Sequence, residues 1–227
     1  MPAPRSMAIF PKKKAMSEPV PTLYTVSMKN QVRRDMLERR RALSTAARET
    51  ASRKILQRLY SEPIYLQAGT VMAYAPMKDE VSLYPLLENC LKESRNLAIP
   101  LITGKGHMEA VHVPSLDVLT EGAYGILTVA EEKRQLLSPE LIDCVIVPGA
   151  AFSLRGDRLG MGAGYYDRFL ERCPEAARIA LAFSCQVANE LPIEPHDVKM
   201  DMIITEAGCI KIRETSLKKG FETVAKR

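Results

Sequence analysis

The chain has 227 residues, of which 46% are hydrophobic and 26% charged, a composition typical of one soluble globular domain with a sizeable core. No apolar run approaches the roughly 18 residues that a membrane-spanning helix needs, so a membrane partner is not expected. Its 5 cysteines include no Cys-x-x-Cys pair, which argues against a disulfide framework or a zinc site and favours a reduced, cytoplasmic protein.

Basic residues are concentrated near the N-terminus. Residues 1–60 hold 14 Lys and Arg against 4 Asp and Glu, whereas the rest of the chain has a net charge of −5. Such a block is compatible with nucleic-acid binding, but it lacks interleaved aromatic residues and a recognisable reader motif. A nucleic-acid partner is therefore not expected.

Residues 1–27 differ in composition from the sequence that follows. They contain five prolines and a run of three lysines without hydrophobic periodicity, which predicts a disordered N-terminal extension. No apolar segment follows the basic residues, so a secretory signal is not expected. An organellar targeting segment and a translation start at Met28 both stay open. Residues 28–227 are expected to form a single α/β domain.

A first helix is predicted from Ser27, which can cap it, with Met36 and Leu37 on its apolar face. Lys29 and Arg33 are four residues apart, so both side chains leave one face of this helix and could bind a triphosphate together. The alternative is a solvated basic face.

Helices and strands then alternate along the chain. Further helices are predicted at residues 44–60, capped by Ser44, and at 82–94 and 165–172, and strands at 70–75, 96–102, 141–147 and 178–183. This alternation predicts an α/β fold with three layers, in which a mostly parallel sheet carries helices on both faces. Ligands of such sheets bind at the carboxyl ends of the strands.

The preference of ligands for the carboxyl ends of strands places residues 76–80 in a candidate site, because these residues follow the first predicted strand. Glu80 could accept hydrogen bonds from N–H donors of a ligand, since a buried carboxylate needs such partners. The alternative is an acid at a helix N-terminus, where the helix dipole favours it.

A glycine-rich loop after the strand at 141–147 is the strongest candidate site. Gly160, Gly162 and Gly164 lack Cβ atoms, so consecutive N–H groups can converge on an anion at a helix N-terminus. Arg158 adds a positive charge beside them. The spacing matches neither the Rossmann fingerprint nor the Walker A loop, and a tight turn without a ligand is the alternative.

Three residues after the last glycine strengthen the case for a ligand site. Tyr165 and Tyr166 offer an aromatic stacking surface, and Asp167 is a possible magnesium ligand near the expected phosphates. Further along, Asp197 and Asp201 are two carboxylates four residues apart beside an apolar run. Solvated loop acids are the default interpretation of that pair.

Residues 148–167 read Pro-Gly-x-x-Phe-x-x-x-Gly-x-Arg-Leu-Gly-x-Gly-x-Gly-Tyr-Tyr-Asp. This long ungapped string resembles the signature of the 5-formyltetrahydrofolate cyclo-ligase (5,10-methenyltetrahydrofolate synthetase) family. The resemblance extends from Met28 to about Gly208. It implies a fold like that of the NagB/RpiA/CoA-transferase group, in a catalytic domain that works as a monomer on small-molecule substrates.

The resemblance also implies a reaction, the Mg²⁺- and ATP-dependent cyclisation of 5-formyltetrahydrofolate to 5,10-methenyltetrahydrofolate with release of ADP and phosphate. The implied ATP-binding residues are Lys29, Arg33, Arg158, Leu159, Gly160, Met161, Gly162, Ala163, Gly164, Tyr165 and Tyr166. The implied folate-binding residues are Ala75, Glu80, Met161, Gly162, Ala163, Gly164 and Tyr165. The implied catalytic residues are Arg158, Tyr165 and Asp167, and the implied magnesium ligands are Asp167 and Asp201.

The chain departs from the family pattern inside the glycine loop. Met161 and Ala163 stand where some relatives have Arg or Lys, so Lys29, Arg33 and Arg158 would carry more of the phosphate binding. Two rival functions stay open from the sequence. One is an ATP-independent enzyme on a similar scaffold, such as a sugar-phosphate isomerase, and the other is a protein that binds folate, nucleotide or RNA without turnover.

Overall fold

The computed structural model of the chain describes residues 22–122 and 127–212. The helices are α1 (Thr22–Ala42), α2 (Thr45–Leu59), α3 (Pro63–Leu66), α4 (Tyr84–Lys92) and α5 (Tyr165–Glu171). The strands are β1 (Thr70–Met72), β2 (Asn96–Gly104), β3 (His107–His112), β4 (Leu119–Glu121), β5 (Leu127–Val129), β6 (Leu136–Leu137), β7 (Cys144–Val147), β8 (Ala151–Ser153), β9 (Arg158–Leu159), β10 (Ala177–Leu181), β11 (Val187–Ala188), β12 (Met202–Ile204) and β13 (Cys209–Lys211). None of the helices in these ranges has the length and apolar character to cross a membrane.

The central sheet has eight strands in the order β13-β12-β10-β7-β1-β2-β3-β6. Its five central strands, from β12 to β2, run parallel, and the three outer strands β13, β3 and β6 pair antiparallel. Strand β7 is the apolar run Cys-Val-Ile-Val and is fully buried, as expected for a parallel strand covered on both faces. The prediction of a mostly parallel sheet is confirmed.

Successive side chains of each central strand enter different layers, because a strand alternates its faces. Val71 packs in a cluster with residues of α2, α3 and α4, among them Ile55. Met72, the next residue, packs in a second cluster with Phe169 and Leu170 of α5. The predicted three-layer arrangement is therefore confirmed.

The start of α2 agrees with its prediction, and the start of α1 does not. Ser44 caps α2 as predicted, since its side chain accepts a hydrogen bond from the Ala47 N–H at 3.2 Å. The predicted start of α1 at Ser27 is wrong, because the helix already begins at Thr22. Residues 22–27 contain no proline or glycine, so nothing in them interrupts a helix. Part of the segment assigned to the N-terminal extension therefore belongs to α1.

A β-hairpin separates β7 from the glycine loop, so the predicted direct step from strand to loop is wrong. Strands β8 and β9 pair antiparallel, and β8 also pairs with β11 to form a small second sheet. Arg158 and Leu159 lie on β9 rather than in the loop. Strands of two or three residues are too short to show a periodic pattern, which is why the sequence did not reveal them.

Gly156 makes the turn of this hairpin with a φ of 83°, a conformation that L-residues rarely adopt. An added Cβ would lie 2.8 Å from the Met200 carbonyl oxygen, which is backbone and cannot easily move. We expect Gly156→Ala to lower the free energy of unfolding by at least about 2 kcal/mol in denaturant titrations. Gly208→Ala is the control, because nothing lies within 4 Å of its added Cβ. Equal stability of the two variants would contradict this account of the turn.

Candidate active site

The glycine loop, residues 160–164, connects β9 to α5 beside the carboxyl end of β7. Gly162 and Gly164 have φ angles of 103° and 66°, so the backbone here needs glycine. In the part of the chain that the structure describes, no acceptor takes the N–H groups of Met161, Gly162 or Ala163. The loop is exposed, and these donors are free to bind an anion.

Arg33 lies against this loop from α1. Its Nε donates to the Gly160 carbonyl oxygen at 2.8 Å, and its guanidinium carbon is 3.5 Å from where a Cβ on Gly162 would be. Burial lowers the pKa of Arg33, but an arginine stays charged in any protein environment. Its side chain donates to Asn30 as well, and no carboxylate of the described residues pairs with it. Arg33 is thus a half-buried cation available to a ligand.

Arg168 of α5 is a second cation at the loop that the sequence analysis missed. It donates to the carbonyl oxygens of Ala163 at 2.6 Å and Gly106 at 2.8 Å. Its position four residues after Gly164 could have indicated it, because that spacing returns a helical side chain to the loop. Arg168 supplies charge next to positions 161 and 163, where this chain has no basic residue.

Arg158 and Asp167 form an ion pair at the base of the loop. Arg158 Nη2 lies 2.6 Å from Asp167 Oδ1, and its Nη1 donates to the Pro148 carbonyl oxygen at 3.3 Å. The Asp167 side chain is 16% exposed, and Oδ1 also accepts from the Val198 N–H. No donor within residues 22–122 and 127–212 contacts Oδ2. One carboxylate oxygen beside the glycine loop is therefore free to bind a cation.

Tyr166 lies next to this ion pair with its hydroxyl buried and without a hydrogen-bond partner in the described chain. The Arg158 guanidinium carbon is 5.9 Å from the centre of the Tyr166 ring. Burial, followed by the charge of Glu80, raises the pKa of Tyr166, so the phenol stays protonated. A buried hydroxyl without a partner is a group that a bound ligand can satisfy.

Asp201, the other predicted magnesium ligand, lies at a different place in the sheet. It precedes β12, and its Oδ2 accepts from the N–H of Arg178, at the start of β10. Arg178 is in register with Val145 of β7, two residues before the strand's carboxyl end. Asp167 instead pairs with Arg158, whose Nη1 donates to the Pro148 carbonyl oxygen just beyond that end. The two acids lie on different elements, and their joint magnesium site stays a prediction.

Lys29 is buried and held by two acids that the sequence analysis had not assigned to it. Its Nζ lies 2.6 Å from Asp197 Oδ2 and 2.8 Å from Glu194 Oε2. Burial alone lowers the pKa of Lys29, but the hydrogen bonds and charges of Asp197 and Glu194 outweigh it and raise the pKa overall. The carboxylates of Glu194 and Asp197 and the ring of His196 offer atoms within 4.8 Å of one another. Because the ammonium binds both acids, Asp197 is not the solvated loop acid of the default interpretation.

Glu80 lies in a cleft of about 600 Å³ at the carboxyl end of β1, lined by Pro76, Met77, Lys78, Asp79, Glu80, Ser82 and Tyr84. Its Oε2 accepts from the Met77 N–H at 3.0 Å, and its Oε1 lies 3.3 Å from Arg40 Nη1. Burial raises the pKa of Glu80, while the Met77 N–H and Arg40 lower it. Helix α4 begins only at Tyr84, so the alternative role as a helix N-terminal acid is not supported.

Comparison with known proteins assigns the chain to a family. Residues 25–206 match the model of the 5-formyltetrahydrofolate cyclo-ligase family. The chain belongs to this family.

Known family members resemble the chain over most of their length. The 5-formyltetrahydrofolate cyclo-ligase of Mus musculus is 29% identical over 191 residues, which cover 79% of this chain and 94% of the relative. The mitochondrial 5-formyltetrahydrofolate cyclo-ligase of Arabidopsis thaliana is 28% identical over 210 residues, which cover 81% of this chain and 76% of the relative. The NMR structure of Aquifex aeolicus 5,10-methenyltetrahydrofolate synthetase superposes with a TM-score of 0.74 at 35% sequence identity. The superposition covers 86% of this chain and 98% of the Aquifex chain. Because one relative is mitochondrial, the cytoplasmic location stays a prediction.

In this member of the cyclo-ligase family the glycine loop, Arg33, Arg158 and Asp167 lie together in the candidate site. Ala75 is buried in the segment between the end of β1 and Glu80, and Tyr165 is half-buried at the start of α5. The residues that the sequence analysis missed, such as Arg40 and Glu194, reach the site from distant parts of the chain. Only the chain fold brings them together with the motif.

Proposed function

We propose that the chain catalyses the Mg²⁺- and ATP-dependent cyclisation of 5-formyltetrahydrofolate to 5,10-methenyltetrahydrofolate, with release of ADP and phosphate. Family membership supports the folate substrate. The observation that carries the nucleotide part is the glycine loop. Within the described residues its N–H groups have no acceptor, and they stand beside Arg33, which has no acid partner there. The family match does not support the isomerase rival, and turnover separates the proposal from a protein that only binds folate or nucleotide.

The chemistry requires activation of a poor leaving group. The oxygen of the N5-formyl group attacks the γ-phosphorus of ATP, the bond to the ADP oxygen breaks, and an imidate phosphate forms. N10 of the same folate then attacks the formyl carbon and gives up its proton to the solvent or to the leaving phosphate, the carbon–oxygen bond breaks, and phosphate leaves as the ring closes. Both reacting atoms of the second step belong to one molecule, so the protein mainly has to fold the substrate and exclude water.

The residues of the glycine loop fit the phosphoryl-transfer step. Such transfer needs positioning and charge neutralisation rather than a protein nucleophile. In this proposal the N–H groups of Met161, Gly162 and Ala163 hold the phosphates, and Arg33 and Arg158 neutralise their charge. The backbone of Leu159, Gly160 and Gly164 shapes the loop, and Tyr165 and Tyr166 border it.

Asp167 fits a magnesium ion better than Asp201 does. Magnesium in nucleotide sites is held by one or two carboxylates together with phosphate oxygens, and it neutralises charge on those oxygens. Among the described residues Asp167 has a free oxygen next to the glycine loop, and Asp201 has one oxygen that accepts from the Arg178 N–H and one without a partner. We therefore propose Asp167 as the protein ligand nearest the phosphates, with Asp201 as the second carboxylate that the resemblance implies.

Folate is proposed to bind between the glycine loop and the cleft of Glu80. The Glu80 carboxylate would accept hydrogen bonds from the N–H edge of the pterin ring. Tyr165 would orient the ring from the start of α5, and Ala75 would line the same end of β1. Lys29, although held by Glu194 and Asp197, would add positive charge on the face of α1 that carries Arg33.

Stoichiometry tests this proposal. Purified protein is mixed with 5-formyltetrahydrofolate, ATP and Mg²⁺, and ADP and methenyltetrahydrofolate are both quantified over time. We expect equal amounts of the two products, loss of both on chelation with EDTA, and recovery on adding Mg²⁺. Product without ADP would favour an ATP-independent enzyme, and folate binding without product would favour a binding protein.

A further inference from the structure

Arg40 is a buried cation at the cleft of Glu80. Its side chain is 3% exposed, and its Nε and Nη2 donate to Asp79 Oδ2 at 3.1 and 2.9 Å. Its Nη1 lies 3.3 Å from Glu80 Oε1. A guanidinium is buried at this depth only where acids compensate it, so Arg40 and the two acids form one unit.

Helix α1 brings Arg40 to this cleft along the face that also carries Lys29 and Arg33. The spacings of four and seven residues keep the three side chains on one side of the helix, where Met36 and Leu37 are also buried. Arg33 and Arg40 are about 10 Å apart along the helix axis. The same helix therefore contacts the glycine loop and the Glu80 cleft.

Arg40 compensates the negative charge of Glu80 in surroundings that otherwise disfavour a carboxylate. Asp79 on the same loop raises the pKa of Glu80, and burial raises it most, whereas the Met77 N–H and Arg40 lower it. The phenols of Tyr74 and Tyr166 also face Glu80, whose charge raises their pKa values after the larger effect of burial. Among the residues that the structure describes, Arg40 is the positive charge at this carboxylate.

We propose that Arg40 is a positioning residue of the folate site, which holds Glu80 as a carboxylate turned toward the cleft to accept hydrogen bonds from the N–H edge of the substrate ring. The inference rests on the proposed function, because it takes Glu80 as the folate acceptor. Among the described residues each Glu80 oxygen accepts from one donor, Arg40 or the Met77 N–H, and so keeps a lone pair for a ligand.

A double-mutant cycle tests this role. Arg40→Met, Glu80→Gln and the double variant are compared for kcat, for KM of each substrate and for Tm. Arg40→Met is expected to raise KM for 5-formyltetrahydrofolate about tenfold, since it weakens a charge-assisted acceptor, and to leave KM for ATP within about twofold. In the Glu80→Gln background Arg40→Met is expected to add less than about twofold. Arg39→Met, an exposed neighbour with the same loss of charge, should behave like the unmodified protein.

The pH profile gives a second readout that a merely structural role would not change. Without Arg40 the pKa of Glu80 rises, so the carboxylate is lost at a higher pH. The acid limb of kcat/KM for the folate should therefore move to higher pH in Arg40→Met and stay in place in Arg39→Met.

Several results would overturn the inference. These are an unchanged KM for folate, an equal rise in both KM values, or full additivity with Glu80→Gln. If Arg40→Met does not fold, Arg40→Lys replaces it in the cycle, because lysine keeps the charge but loses the fork of donors. Absence of turnover in the unmodified protein would count against the proposed function instead, and the cycle would then use calorimetric Kd values for 5-formyltetrahydrofolate. Absence of folate binding would overturn both.

Discussion

Replacing Asp167 with asparagine is expected to lower kcat about a hundred- to a thousandfold, the effect of removing one well-placed electrostatic group from a transition state. Asparagine keeps the size of the side chain and an oxygen for Arg158, so the fold should survive with little change in Tm. What it loses is the negative charge on the free oxygen beside the glycine loop, which we propose to bind magnesium. Steady-state kinetics with saturating MgATP measure the effect.

Glu171→Gln is the matched control for Asp167→Asn. Glu171 lies on the same helix and is exposed to solvent, and its replacement by glutamine removes the same charge. It should retain kcat within about twofold, because exposed charges are strongly screened. Near-normal turnover of Asp167→Asn would remove Asp167 from the metal site.

Replacing Arg33 with methionine is expected to raise KM for ATP about ten- to a hundredfold, because one charge-assisted contact to a phosphate contributes about 1.5–3 kcal/mol. Arg33 lies over Gly162 and has no acid partner in the described chain, so its charge is available to the nucleotide. KM for the folate should change much less. Kinetics with each substrate varied in turn separate the two effects.

Arg34→Met is the control for Arg33→Met. Arg34 is the next residue of α1, and its replacement removes the same charge. It is exposed, and within the described part of the chain its side chain bonds only Gln31. We expect it to leave KM for ATP unchanged. Equal effects of the two substitutions would mean that the general positive charge of α1 matters, and that the contact with the glycine loop does not.

The sequence indicated those parts of the site that are contiguous along the chain. The glycine spacing predicted a loop with free donors, and the four-residue spacing of Lys29 and Arg33 predicted a shared face of α1. Contacts over long sequence separations gave no such signal, because Glu194 reaches Lys29 across 165 residues and Asp79 reaches Arg40 across 39. Charged residues are common in any loop, and only the fold determines which of them meet.

The wrong predictions about the fold have local physical causes. The hairpin of β8 and β9 is too short for a periodic pattern, so the sequence did not reveal that Arg158 lies on a strand. Helix α1 starts early because residues 22–27 contain no helix-breaking residue. The joint assignment of Asp167 and Asp201 to magnesium, which followed the resemblance, is not among these wrong predictions and stays a prediction.

The most direct test of the central claim is the near-ultraviolet absorbance of the methenyl product. The full-length protein is mixed with 5-formyltetrahydrofolate and Mg²⁺, with ATP added to one sample and omitted from the other. The account predicts a methenyl absorbance band that grows only with ATP and that Asp167→Asn slows by the factor expected above. A band that grows equally without ATP, or no band although folate binds in calorimetry, would contradict it.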